Sequence, residues 1–158
     1  MKEIILTKGK VAFVDDEDYD LVKDYKWRAK ESSHTRCFYA IATIPIKDRP
    51  LIQMHRLILG LTDPNIQVDH INGDGLDNRR YNLRACTASE NRCNRGKSKN
   101  NTSGYKGVCF HKASKRWRAK IRLKNKFTYL GDFHTPEEAY AAYCKAALEL
   151  HGEFANLG

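Results

Sequence analysis

The sequence predicts an α+β fold in two parts. An N-terminal α+β segment carries a strand–loop–strand–helix motif, and beyond a linker a three-stranded antiparallel sheet packs on one helix. Three observations carry this reading. Trp117, Ala119, Ile121 and Leu123 alternate with Arg116, Arg118, Lys120, Arg122 and Lys124, the period of two that gives a strand one packed and one cationic face. Thr135-Pro136-Glu137-Glu138 has the cap, the first-turn proline and the third-position glutamate of a helix start, and Gly152 supplies its stop. The run Asn72-Gly73-Asp74-Gly75-Leu76-Asp77-Asn78 is rich in residues that accept positive φ, so it reads as a loop between Ile66–Ile71 and Asn82–Cys86.

Size and composition narrow the field. With 158 residues the chain is one ordinary domain or two small ones, and neither half can bury a large core. Forty-one per cent hydrophobic and 30% charged is the composition of a folded protein. No apolar run approaches the ~18 residues of a membrane helix, and the start MKEIILTKGK lacks a signal-peptide core, which predicts a cytoplasmic protein with no membrane partner. Five cysteines, odd in number and without a C-x-x-C pair, argue against a disulfide framework and against a thiolate zinc site.

In chain order, Ile4–Leu6 and Lys10–Val14 are strand-like, the acidic stretch 15–18 leads into a short helix around Tyr19–Lys26, and Cys37–Ala42 is another strand. The Pro45–Pro50 region is a connection, and the apolar stretch Leu51–Leu61, with His55-Arg56, ends at Gly60. Ile66–Ile71 is a strand that delivers Asp69 and His70, Asn82–Cys86 the returning strand, and Thr87-Ala88-Ser89-Glu90 a capping box opening a helix with Asn91. The small, polar, basic residues 96–103 form a linker. Tyr105–Phe110 and Phe127–Phe133 flank the central basic strand, and Ala139, Ala142, Tyr143, Ala146 and Leu150 are the sheet-facing stripe of the last helix. The predicted division is 1–95 (1–49 and the motif at 50–95), linker 96–103, and 104–158.

Charge distribution points to a polyanion. Residues 1–60 hold 11 Lys/Arg against 9 Asp/Glu, residues 61–95 hold 5 against 5, and residues 96–158 hold 12 against 5. Between Asn91 and Gly131 there are 13 Lys/Arg and no carboxylate, a run too long for a merely solvated face.

The chemistry-bearing residues sit in the first half. Asp69 and Asn91 offer hard oxygens to a divalent cation, and His70 is a base that titrates near neutral pH. Phosphodiester hydrolysis needs a deprotonated water, a cation against the growing negative charge, and help for the leaving oxygen. Two protein oxygens leave an octahedral Mg²⁺ or Mn²⁺ to complete its shell with waters and phosphate. Neighbours in a strand point to opposite faces, so Asp69 and His70 can meet one phosphate only if the strand twists or ends there. An EF-hand is excluded: with Gly75 as its glycine, position one would be His70 and position twelve Tyr81. His55 reads as packing or as a phosphate contact, without the partners a zinc site needs.

The pattern Val68-Asp69-His70-Ile71-Asn72-Gly73, Asn78-Arg79, Asn82-Leu83-Arg84, Thr87, Glu90-Asn91, with His55-Arg56-Leu57 upstream, resembles the HNH endonucleases of the phage homing type. The resemblance implies that His70 is the general base, Asp69 and Asn91 the metal ligands, and Asn82 the residue that holds the His70 region in place. It also implies a phage protein acting in the cytoplasm of its host. Ser103–Val108, Trp117–Ile121, Tyr129–Phe133, Glu137-Glu138-Ala139 and Ala146-Ala147 resemble the AP2/ERF DNA-binding domain. That resemblance implies a sheet in the major groove of double-stranded DNA, with Lys106, His111, Lys120, Arg122 and Tyr129 touching bases or phosphates. Arg118, on the cationic face, joins them as a candidate. Lys106 and Lys120 replace residues usual in the plant members, and lysine lacks the bidentate fork of arginine. The reading is a metal-dependent, site-targeted DNA endonuclease acting as a monomer without a protein partner; the alternative is a DNA-binding regulator whose nuclease half has decayed.

Overall fold

The computed structural model describes residues 1–33, 37–44, 50–123 and 126–158. It folds as two compact units, Met1–Thr87 and Ala88–Gly158. The readings for residues 45–49 and for Lys124 fall outside the described residues.

Among the described residues, the first unit is built from three small antiparallel sheets. β1 (Lys2–Ile5) pairs with β2 (Val11–Val14), β4 (Phe38–Thr43) lies between β3 (Arg28–Glu31) and β5 (Leu51–Gln53), and β6 (Gln67–His70) pairs with β7 (Leu83–Cys86). The helix after the acidic stretch is shorter than its sequence suggests. A 3-10 turn at Asp16–Asp18 runs into α1 (Tyr19–Val22) and the chain then leaves helical geometry, so that the Trp27 indole N–H reaches the Val22 carbonyl at 2.8 Å. The predicted single stretch 51–61 is β5 followed directly by α2 (Met54–Ile58).

Ala12, Val14, Val22, Trp27, Ala40, Met54, Ile58 and Leu83 form the core of this unit. Met54 and Ile58 lie one turn apart on α2 and face the same way, which is why so short a helix holds its place. An ion pair between a buried carboxylate and a half-exposed guanidinium closes the unit. Arg80 grips Asp18 with Nη2 at 2.6 Å and Nε at 2.9 Å, while Asp15 accepts the Arg80 backbone N–H at 2.8 Å. Sequence reasoning passed over this pair, whose members are 62 positions apart.

The second unit holds α3 (Ala88–Cys93), the sheet β8 (Val108–His111), β9 (Arg116–Leu123) and β10 (Lys126–Phe133) with β9 central, and α4 (Pro136–His151). The start of α4 is a complete capping box: Thr135 Oγ1 accepts from the Glu138 N–H at 3.2 Å and the Glu138 carboxylate accepts from the Thr135 N–H at 3.4 Å. Ala119 and Ile121 of β9 are buried against Ala139, Tyr143, Ala146 and Ala147 of α4. Leu150, assigned to this stripe, is instead exposed, and Ala147 takes part in its place; eleven residues on from Ala139 is close to three whole turns, so Leu150 keeps the angle of the stripe without being covered. Trp117 is half-buried as a core residue at the sheet margin, its ring edge-on to Phe110 at 5.2 Å. Gly107 holds φ +75°, and a Cβ there would lie 2.1 Å from the Tyr143 ring, so this close approach of loop and helix demands glycine. Residues of the expected linker are tied down: Asn101 Oδ1 accepts from the Gly104 N–H at 2.8 Å, and the Ser103 hydroxyl donates to the Val108 carbonyl at 2.9 Å.

Candidate active site and nucleic-acid interface

β6 ends at His70, and the loop that follows decides what the site looks like. Gly73 turns the chain at φ +77°, Asn72 Oδ1 accepts from the Asp74 N–H and Asp74 Oδ1 from the Leu76 N–H, so two successive side-chain-closed turns fold the acidic segment back. Asp77 is clamped by Arg79 through both oxygens at 2.7 Å, which together with burial-opposed hydrogen bonding keeps its carboxyl below the usual range. The loop is pinned to β2 by the Phe13 N–H to the Leu76 carbonyl and the Asn78 N–H to the Phe13 carbonyl. Gly75 lies so close to Phe38 and Tyr39 that a Cβ would sit 2.5 Å from the Phe38 carbonyl.

Asn82 fastens this loop from beneath. Only 1% exposed, it donates Nδ2–H to the Asp77 carbonyl at 2.8 Å and accepts the Asn72 N–H at 2.9 Å, and its own carbonyl receives the Ile71 N–H. Its position is that of a holding residue for the segment after His70.

His70 and Asp69 stand at the end of β6 opposite Leu83 and Arg84. Both are buried at 5% exposure. Burial pushes the His70 imidazole below its ordinary value, opposed by a hydrogen bond with Asn78 and by the carboxylates of Asp69, Asp74 and Asp77. A neutral imidazole can take up a proton. Asp69 is held by Arg84, whose Nη2 and Nε both reach Oδ2, at 2.6 and 2.8 Å. This partner, overlooked in the sequence, sits directly across the ladder, and the antiparallel register is the signal that could have found it.

Two further rings complete the surroundings of His70. His55 stands perpendicular to it at 5.1 Å between centroids, and Tyr39 lies 5.8 Å from His70 and 5.9 Å from His55. His55 is 5% exposed, with Nε2 3.0 Å from Gln53 Oε1; of the two roles open to it, packing is the one this burial supports. Burial first, then His70 and Arg56, push its pKa down to about 3. Asp69, His70 and Asn82 thus come together in the first unit, while Asn91 lies half-buried on α3 in the second.

On the second unit, the face of the sheet turned away from α4 is cationic. Cross-strand pairs Phe127↔Arg122 and Tyr129↔Lys120 place exposed rings beside exposed cations, with Lys120 and Arg122 at 5.1 and 5.4 Å from the Phe127 centroid. Arg118 is engaged differently: both ends of its fork bond Asp132, at 2.8 and 2.9 Å, and the pairing holds the Asp132 carboxyl down to about 2. Its guanidinium also lies 5.3 Å from the Tyr129 ring. His111 Nδ1 is 2.8 Å from the Ser114 hydroxyl. Lys106 is half-buried and donates to the carbonyls of Cys93 and Asn156, so it stands apart from the open row of cations. Among the described residues no helix is long and apolar enough to cross a membrane.

An HNH endonuclease family model matches residues 54–93, the span of α2, β6, the loop, β7 and α3, and an AP2 domain model matches residues 103–153, the sheet and α4. The two matches together indicate a DNA-binding protein of the nuclease class. The chain belongs to the HNH endonuclease family: it is 33% identical over 155 residues, 94% of its length and 74% of the relative's, to an uncharacterized HNH endonuclease of Acanthamoeba polyphaga mimivirus. It is also 32% identical over 107 residues, 66% of this chain and 86% of the relative, to Protein 3.8 of Escherichia phage T7. The AP2 part is 48% identical over 52 residues to an ethylene-responsive transcription factor of Arabidopsis thaliana, of which it covers 12%. No solved structure matches the chain.

Proposed function

We propose that this chain is a metal-dependent, site-targeted DNA endonuclease of the homing type, acting as a monomer on double-stranded DNA. The observation that carries the reading is the buried, neutral-leaning His70 at the end of β6 beside Asp69, with Asn82 fastening the turn that follows. His70 serves as general base and takes the proton of the attacking water. Asn82 acts by holding the backbone on which His70 is mounted. Asp69 and Asn91 offer only carboxylate and amide oxygens, a donor set that fits a hard cation such as Mg²⁺ or Mn²⁺. When bound, the cation supplies charge neutralisation at the phosphate and at the leaving 3′ oxygen. Arg84, paired to Asp69, must share that carboxylate with it.

The AP2 part supplies affinity and register, through Lys106, His111, Arg118, Lys120, Arg122 and Tyr129. Phosphate contacts should dominate, so binding weakens steeply with salt. The grip of Arg84 on Asp69 is also what favours the second reading, a DNA-binding regulator whose nuclease half no longer cuts. Plasmid incubated with the protein and Mg²⁺, with and without chelator, separates the two. Chelator-sensitive cutting, lost in His70→Ala with DNA binding retained, supports the endonuclease; cutting retained in His70→Ala overturns the base assignment, and no cutting by the unaltered chain with Mg²⁺ or Mn²⁺ overturns the enzyme.

A further inference from the structure

One cleft of the second unit gathers cations without an anion. It is lined by Ser89 and Arg92 of α3, Lys106, Arg122 of β9, and Tyr143 and His151 of α4. Among the described residues, none of Arg92, Lys106 and Arg122 forms a salt bridge. Lys106 is the informative member. Its ammonium donates to the Cys93 carbonyl at 3.0 Å and the Asn156 carbonyl at 2.6 Å, and an ammonium has three N–H bonds, so one remains. Desolvation lowers its pKa to about 8. A half-buried cation with no carboxylate beside it is stabilised by an anion that comes from outside. His151 adds polarity on the same wall: its Nε2–H donates to the Arg122 carbonyl at 2.9 Å, and its Nδ1 is buried without a hydrogen-bond partner.

The ligand that these groups recognise is a phosphate. The guanidinium fork of Arg92 matches the oxygens of a phosphodiester, and the Lys106 ammonium adds a point charge. The stretch between Asn91 and Gly131 contains no carboxylate that could fill the cleft from within.

We infer that this cleft is the seat of one DNA backbone phosphate, held by Arg92 and Lys106. The inference rests on the DNA-binding reading and deepens it. Lys106, which the AP2 resemblance carries over as a DNA contact, becomes one wall of a defined subsite, and Arg92, to which neither resemblance gives a role, becomes the other, with the backbone of Arg122 at its edge. Because Arg92 follows Asn91 on α3, an occupied seat also steadies the helix that carries the proposed metal ligand.

The test uses the full chain, wild type and Arg92→Gln, a change at an exposed side chain. Duplex binding is followed by fluorescence anisotropy across a salt series, and inorganic pyrophosphate is titrated against isotopically labelled protein by amide NMR. The expected result is a several-fold loss of affinity in the variant that is the same for every duplex sequence, with the slope of log K against log salt smaller by about 0.9. Pyrophosphate should shift the amides around residues 89–93, 106 and 122 in the wild type and leave them unmoved in Arg92→Gln. Wild-type DNA binding with an unchanged slope in the variant overturns the seat and leaves the DNA reading standing. Pyrophosphate shifts in a wild-type protein that binds no duplex support the seat and overturn the DNA reading. Absence of those shifts at all pyrophosphate concentrations overturns the seat, whatever the DNA result.

Discussion

Replacing Asn82 by alanine tests the link between fold and chemistry most directly. Asn82 is 1% exposed and both ends of its amide bond backbone groups of the loop after His70, the Asp77 carbonyl at 2.8 Å and the Asn72 N–H at 2.9 Å. Alanine leaves both without partners. An orphaned group costs ~1–3 kcal/mol when buried, and because Asn72 lies at the surface, where water can replace one bond, the loss is about 1–3 kcal/mol. Urea unfolding in a Trp117→Phe background reports the first unit through Trp27 and gives the stability change; cleavage and gel-shift assays give the functional one. The expected outcome is that loss of stability together with at least a tenfold drop in cutting, with duplex binding by the second unit preserved. Asn82→Asp keeps the oxygen that receives the Asn72 N–H but sets a buried carboxylate oxygen against the Asp77 carbonyl, so it should cost at least as much as alanine. A loss below about 1 kcal/mol with unchanged cutting would refute the idea that Asn82 holds the His70 segment.

Further outcomes follow from other contacts. Asp18→Asn breaks the doubly bonded pair with Arg80; as Arg80 is 46% exposed and keeps water, the cost is about 1–3 kcal/mol rather than the full penalty of a buried pair, measured in the same unfolding assay. Gly107→Ala puts a Cβ into the Tyr143 ring at a positive φ and should unfold the second unit, read as loss of DNA binding with loss of its NMR dispersion. Replacing Lys120 and Arg122 together should raise the DNA concentration needed for cutting, and an unchanged gel-shift curve counts against the open row of cations as the interface. The folded pKa of His55, about 3, lies below its ordinary 6.5, so as pH falls the unfolded chain takes up the proton first. Its contribution to stability is complete above about 6.5 and is lost on the way down to about 3, and His70, shifted the same way, adds to it. His55→Phe should therefore flatten the decline in stability between about pH 7 and about pH 5, where few carboxylates titrate.

What could be read from the sequence was what depends on local period and local caps. The alternation of β9, the capping box of α4 and the turn residues between β6 and β7 are each set by neighbours within a few positions. Arg84 against Asp69 required the register of the ladder as well. The ion pair between Asp18 and Arg80, and the ring cluster of Tyr39, His55 and His70, join segments brought together only by the packed core, and no spacing announces them. Leu150 was misplaced because an apolar residue at helical spacing says nothing about where the sheet ends. The sequence places Lys106 among the DNA contacts, and only the carbonyls of Cys93 and Asn156 set it apart from the others.

The grouping of α3 with the sheet and α4 has a practical bearing on chimeras. A fusion that exchanges the recognition half by cutting at residues 96–103 would strip α3 of the Lys106 ammonium on the Cys93 carbonyl and of the Asn156 amide on the Asn94 carbonyl. A graft joined after Thr87 carries those bonds along intact, and with them Asn91. On the proposed role of Asn91, swapping target preference then means transplanting a metal ligand too, so donor and acceptor must be matched in α3 before they are matched in DNA sequence.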